Sequence, residues 1–368
     1  MNRDPILIRV DATPRNGFER FARCMTLAAA LQRRRRPTFF LSQLEPTSLA
    51  FAVKRGGNDW IDACHPAGST DDLEDVVQEI RRRRPAAVIV DEADASHDYL
   101  SEILATGVLV VSLDHQANIR FPSQILVNPL LGPSRESYEF YPGTQLLLNQ
   151  RYSLVRPEVR RLRQGRSQEP ALLLPPTGKP GTTQFRVLLS LGEDDPNRQV
   201  LNYAKLLLNS PRIGKVDIIV RREHPDLEKI QATVEASAGR LELALEPPEV
   251  AARIVRAHFA LTSGSGWANE LTCVGVPQLL IVQNETHWPN AQRLEEEGCA
   301  TCLGWHESVS PQTIRLAVQN ILADPLERQA MSRCGRQLID GRGPDRLVTA
   351  LEVMLHPSRQ VDFSSEAA

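Results

Sequence analysis

Residues 261–298 read LTSGSGWANELTCVGVPQLLIVQNETHWPNAQRLEEEG, and this stretch decides the fold. An apolar run, His258-Phe259-Ala260-Leu261, enters Thr262-Ser263-Gly264-Ser265-Gly266. Helical spacing follows from Trp267 to Cys273, then Gly275-Val276-Pro277 and a second apolar run from Gln278 to Val282. That order is strand, small-residue turn, helix, turn, strand. A glycine- and serine-rich turn at a helix start lets backbone N–H groups approach an anion, and the helix dipole favours negative charge there. Glu270, one turn further on, is placed to accept hydrogen bonds from sugar hydroxyls. The arrangement suits a nucleotide diphosphate. The competing reading is a tight connection in which Gly264 and Gly266 serve backbone geometry alone.

Strands and helices alternate on either side of this segment. Pro5–Val10 reads as a strand, and Phe18–Gln32 as an amphipathic helix carrying Phe21, Met25, Ala28 and Leu31. Thr38–Leu41 is a strand, Asp71–Arg83 a helix, Ala86–Asp91 a strand, Tyr99–Thr106 a helix and Val108–Leu113 a strand. Between Arg156 and Phe185 the text turns rich in arginine, proline and glycine. Alternation resumes with Arg186–Leu191, Val200–Leu208, Val216–Val220 and Glu223–Ala236, and helices run from Pro311 to about Leu355. The pattern predicts an α/β protein with two doubly wound domains facing a cleft. Residues 1–155 form the first, 156–185 a linker or surface loop, 186–355 the second, and 356–368 a disordered tail.

Length and composition agree. A chain of 368 residues exceeds the usual single core. With 42% hydrophobic and 24% charged residues it reads as soluble and globular. A net charge of −2 gives no electrostatic case for a nucleic-acid partner. No apolar stretch approaches the roughly 20 residues that cross a bilayer, so no transmembrane segment is expected. Met1-Asn2-Arg3-Asp4-Pro5 runs into a strand and is unlike a secretory signal, which makes the cytoplasm the expected location. Cys24, Cys64, Cys273, Cys299, Cys302 and Cys334 read as buried apolar thiols, since the lone Cys299-x-x-Cys302 has no second pair at zinc spacing. The runs Arg33–Arg36 and Arg81–Arg84 each close a helix before a proline and read as solvated helix ends; the alternative is a basic patch for an acidic partner or an anionic membrane.

Four segments together resemble a known family. They are Ile8–Asp11 with Gly17–Cys24, Ser190–Asn197, the segment quoted above, and Ile339–Arg346. Leu113-Asp114, Asn128-Pro129 and Leu147–Pro157 occupy further family-like positions. Over roughly residues 6–350 the chain is similar to the GT-B nucleotide-sugar proteins. Within them it most resembles the UDP-sugar hydrolases of the pseudaminic acid pathway, relatives of the glycosyltransferase that makes lipid II. The resemblance implies a GT-B fold of two Rossmann-like domains, the first on the catalytic or acceptor side and the second holding the donor. It requires no cofactor and no metal.

The family's first turn reads G-x-G-H-x-x-R, where the histidine acts on the bond to the nucleotide or on the attacking water. Gly17 and Arg23 match its ends. Glu19 stands in place of the second glycine and Arg20 in place of the histidine. Arginine stays protonated, so Arg20 is no general base, although it can stabilise charge on a phosphate; Glu19 is the remaining candidate for proton transfer. Ser190, Gly192 and Asn197 match the second motif, but Glu193-Asp194-Asp195 adds carboxylates. These either crowd a diphosphate or simply begin a helix. Gly264, Ser265, Gly266, Glu270 and Asn290 fit the third motif, and His287 stands where a glutamine is usual, either donating a hydrogen bond to a phosphate or serving as an ordinary surface residue beside Trp288. Asp11, Asp114 with His115, and Asp91-Glu92 lie at strand ends where open sheets bind ligands. The expected catalytic set is therefore Asp11, Glu19, Arg20 and Asp114. The expected reaction is hydrolysis of a UDP-sugar, releasing UDP, in nonulosonic-acid-like surface-glycan biosynthesis. The alternatives are a glycosyltransferase using the same donor and a non-catalytic relative that only binds, with partners in a glycan-assembly pathway.

Overall fold

Short apolar runs become parallel strands here because helices cover both faces of each sheet, so every strand residue can be apolar. The computed structural model describes residues 3–14, 17–167, 184–192, 195, 197–245 and 247–356. The first domain runs β1 (Ile6–Arg9), α1 (Glu19–Arg33), β2 (Thr38–Ser42), α2 (Ser48–Arg55), β3 (Asp59–Asp62), α3 (Thr70–Arg83), β4 (Ala87–Val90), α4 (His97–Ala105) and β5 (Leu109–Leu113). It continues with β6 (Arg120–Phe121), β7 (Ile125–Asn128), β8 (Glu139–Phe140) and β9 (Gln145–Leu148). The main sheet has the order β3-β2-β1-β4-β5-β7-β9, while β6 pairs with β8.

After α5 (Pro157–Ser167), the second domain runs β10 (Phe185–Ser190), α6 (Val200–Leu208), β11 (Ile213–Ile219), α7 (Leu227–Glu235), β12 (Leu241–Ala244) and α8 (Pro247–Arg256). Next come β13 (Phe259–Thr262), α9 (Gly266–Val274), β14 (Gln278–Val282), α10 (Trp288–Glu296) and β15 (Ala300–Trp305). The chain closes with α11 (Pro311–Ala323), α12 (Pro325–Leu338) and α13 (Gly343–Leu355). The sheet order is β12-β11-β10-β13-β14-β15, parallel throughout.

Alternate strand residues supply opposite faces of each sheet. Ile6 and Ile8 join the core beneath α1 and α13, whereas Leu7, Val88 and Val90 join the core beneath α3 and α4. Val187 and Leu189 face one side of the second sheet, and Leu188, Ala260 and Leu280 face the other, under α9. The final helix crosses back: Leu347, Val348 and Leu351 of α13 are buried in the first domain's core. Its start lies so close to residues 152 and 153 that a β-carbon at Gly343 would sit 2.2 Å from the Ser153 carbonyl oxygen.

Several elements differ from the sequence reading. Residues 157–167 form α5 rather than loop, because Val159 and Leu162 pack against the α9 side of the second core. The rest of the expected linker, residues 168–183, and the expected tail beyond residue 356 lie outside the described residues. Strands β3, β7, β9 and β12 are four-residue runs too short to show a period, and helices α2 and α8 also fall outside the sequence reading. Arg36 is not a solvated helix end: it is 2% exposed and bound to the Glu352 carboxylate and the Asp4 carbonyl. Arg33 reaches Asp345, and Arg82 and Arg83 pair with Glu79. Cys24, Cys273 and Cys299 are buried, but Cys64 is exposed and Cys302 and Cys334 are half-buried.

Candidate functional site

Both sheets reverse their winding at an internal strand pair, β1/β4 in the first domain and β10/β13 in the second. Open α/β sheets bind ligands at the carboxyl ends of such strands. Here the two sets of strand ends face each other across one cavity of about 240 Å³.

The second domain builds one wall from small residues and amides. Ser263 and Ser265 follow β13, Leu191 and Gly192 follow β10, and Gln283, Asn284 and His287 follow β14. Ser265 caps α9, its hydroxyl accepting from the Trp267 N–H at 3.3 Å. Gly192 has φ of +102°, and a β-carbon there would stand 3.3 Å from the Ser263 hydroxyl. Glycine thus keeps this turn low and relieves left-handed strain. His287 is 9% exposed, and its Nδ1 has no hydrogen-bond partner.

The first domain's wall is made of charged pairs. Arg23 of α1 donates from Nε to Asp91 Oδ2 at 2.6 Å and from Nη2 to Oδ1. Its Nη1 lies 2.6 Å from His115 Nε2 and 2.9 Å from Nδ1. Burial works against the Arg23 charge, but Asp91 outweighs it and raises the guanidinium pKa further. Burial, followed by the Arg23 charge, holds His115 well below the usual histidine range, so its imidazole is neutral at pH 7. Arg20 pairs with Glu92 at 2.7 Å, yet burial leaves the Glu92 carboxyl raised, with Oε2 unpartnered. Asp114 accepts from the Gln116 and Ala117 amides at 2.9 and 2.7 Å; burial still pushes its pKa up.

One residue crosses the cavity. Glu19, at the start of α1, accepts from the Gly266 N–H at 3.2 Å and places its other oxygen 3.4 Å from His287 Nε2. Burial alone would raise its pKa, but the charge and hydrogen bond of His287 together hold it well below the usual carboxylate range.

No family model matches the chain. It is 21% identical over 284 residues to the spore coat polysaccharide biosynthesis protein SpsG of Bacillus subtilis, covering 76% of this chain and 80% of SpsG. The structure of Acinetobacter baumannii MurG superposes with a TM-score of 0.65 at 12% identity, covering 95% of this chain and 99% of MurG. The UDP-GlcNAc 2-epimerase from Neisseria meningitidis, bound to UDP-GlcNAc, superposes with a TM-score of 0.60 at 13% identity, covering 95% of this chain and all of that one. The chain has the GT-B fold.

Within this GT-B cleft the structure gathers Gly17, Glu19, Arg20, Arg23, Asp114, Gly192, Ser265 and His287 around the main cavity. Other expected residues lie elsewhere. Asp11 is 1% exposed and wholly engaged by Arg9, the Gln43 N–H and the Ala67 N–H, which leaves no lone pair facing a ligand. Ser190 is buried at the end of β10, and Asn197 donates to the Gln283 side chain at 2.8 Å. Asp195 accepts from the Gln199 and Val200 amides at the start of α6, which is the helix-initiating role; Glu193 and Asp194 lie outside the described residues.

Glu270 and Asn290 act as stitches. Arg156 grips the Glu270 carboxylate with its amide at 2.8 Å and its guanidinium at 2.6–3.0 Å. Asn290 accepts from the Leu131 N–H at 2.7 Å and donates to the Gly264 carbonyl at 2.7 Å, tying Gly264 to the first domain. Gly264 itself packs against Ala291. Gly266 and Glu270 line a smaller adjoining cavity of about 60 Å³ that shares Glu19, Arg23, His115 and Ser265. His115, which the motif reading left outside its set, also lines both cavities; its adjacency to Asp114 at a strand end was the available signal. Among the described residues no cluster of His, Cys, Asp and Glu has a metal-holding arrangement.

Proposed function

We propose that the chain processes a UDP-sugar in surface-polysaccharide biosynthesis, binding it in the GT-B cleft and releasing UDP by hydrolysis. The observation that carries this reading is the pairing of two unlike walls on one cavity: Ser265 at the start of α9 with Gly192 and His287 on one side, and a neutral, half-buried His115 on the other. The likeness to SpsG and the epimerase bound to UDP-GlcNAc support the same class of ligand.

The diphosphate lies against the start of α9, where backbone N–H groups and the helix dipole favour negative charge. The sugar then extends toward His115. A water attacks the anomeric carbon, and its proton passes to the ring nitrogen of His115 that Arg23 Nη1 gives up as the water approaches. The bond from that carbon to the phosphate oxygen breaks, and its electron pair leaves with UDP. Arg23, locked by Asp91, keeps His115 deprotonated and oriented. Glu19 is engaged by the Gly266 N–H and by His287, so its carboxylate is turned to the second domain. Asp114 positions the loop that carries His115, through the Gln116 and Ala117 amides.

A binding-only reading is favoured by one observation, Arg20 in the place of the family histidine. Calorimetric titration with UDP and UDP-amino sugars, followed by an assay for released UDP, separates the two. Hydrolysis requires both binding and release. Binding without release leaves a nucleotide-sugar binder, and no binding at millimolar concentration removes both.

A further inference from the structure

The start of α9 is already occupied by an anion from the opposite domain. The first amides of a helix have no intrahelical partner, and the dipole adds to their preference for negative charge. The Gly266 N–H is taken by Glu19 Oε1 at 3.2 Å, from a residue 247 positions earlier in the chain. The second oxygen faces His287 Nε2 at 3.4 Å. His287 lines the cavity and is nearly buried; its Nε2 faces the Glu19 carboxylate, and its Nδ1, itself buried, has no hydrogen-bond partner. Both oxygens of Glu19 are thus directed at the second domain, although the residue belongs to the first. Its side chain retains 33% exposure, so it can swing toward solvent.

We infer that Glu19 is an affinity- and specificity-determining residue whose carboxylate takes the seat of the ligand's distal phosphate, so that ligand binding exchanges one anion for another. This rests on the nucleotide-sugar reading and deepens it. A phosphate and a carboxylate repel each other at one set of amides, so a diphosphate must displace Glu19 and inherit both the Gly266 N–H and His287. The apparent affinity is then the intrinsic one reduced by the fraction of molecules in which the seat is free. A nucleoside without phosphate needs no exchange.

Calorimetric titration of UDP and of uridine into the full chain, Glu19→Gln and Glu19→Ala tests this. Gln keeps the shape and removes the charge; Ala removes both. UDP is expected to bind about fivefold more tightly to Glu19→Gln and at least as tightly again to Glu19→Ala, with uridine unchanged within about twofold. Equal UDP affinity for all three proteins would overturn the role of Glu19 while leaving the nucleotide reading intact. Equal gains for UDP and uridine would also overturn it, making Glu19 a steric block. No UDP binding by any of the three would overturn the nucleotide reading itself.

Discussion

The two walls of the cleft are built from different chemistry. The wall from the second domain consists of backbone amides, serines and glycines at the ends of β10, β13 and β14, held by their own hydrogen bonds. The wall from the first consists of charged pairs, Arg23 with Asp91 and Arg20 with Glu92, around a neutral histidine. Amides and helix dipoles are fixed by the backbone, so the second wall suits an anion, and in the structure the Glu19 carboxylate holds that place. Charged side chains satisfy one another, and what they expose is an oriented imidazole. On the proposed reading, this difference gives binding to one domain and proton transfer to the other.

The largest expected effect tests that division. Replacing His115 with Ala should lower UDP release by roughly 10²–10⁴-fold, the usual contribution of a positioned base, while UDP affinity stays within about twofold. Unchanged turnover would break the division, as would loss of binding without loss of rate.

The next effect concerns what joins the walls. Arg156 approaches Glu270 across the domain boundary, and the Glu270 side chain is 6% exposed. Arg156→Ala leaves that carboxylate without its cation and should destabilise the protein by roughly 2–4 kcal/mol, measured by the denaturant midpoint. Arg156 is itself partly exposed, so the lower part of that range is favoured.

A smaller effect separates the domains by pH. Burial lowers His258 of the second domain from 6.5 to about 4, and its Nδ1 accepts from the Arg186 N–H. Between pH 6.5 and about 4 the unfolded chain therefore binds a proton that the folded chain refuses. The stability from this group is full above 6.5 and is lost as pH falls through that window, by roughly 2–3 kcal/mol. His115 has the same sign in the first domain. Thermal melts from pH 7 to 4 should flatten partly in His258→Gln and partly in His115→Ala, and a slope untouched by both would contradict the assignment. The smallest effect is expected of Arg20→Ala. Because Arg20 is engaged by Glu92 rather than by the start of α9, UDP affinity should change by no more than about twofold.

The fold was legible wherever apolar runs were long and well punctuated. Residues 258–282 show β13, α9 and β14 without ambiguity, and the serine-glycine turn correctly marks the helix start. Four-residue runs such as Ile125–Asn128 carry no period, and only tertiary pairing, here with β5 and β9, makes them strands. Motif position singled out Glu19 as a departure from the family pattern, but not its partner. The contact with Gly266 joins residues far apart in sequence and depends on the closeness of the domains. Glu270 and Asn290 looked like ligand contacts because their types suit hydroxyls and phosphates. Their partners, Arg156 and the Leu131 amide, come from the first domain's end of the chain and leave no mark in the local pattern. Asp11 differs, since one partner, Arg9, is its near neighbour and also reaches Asp72, while the Gln43 and Ala67 amides are distant.

The most direct test of the account is calorimetric titration of UDP into the unmodified chain. The account predicts saturable one-site binding, with uridine weaker because it lacks the phosphates that α9 receives. An absence of UDP binding up to millimolar concentration would contradict it.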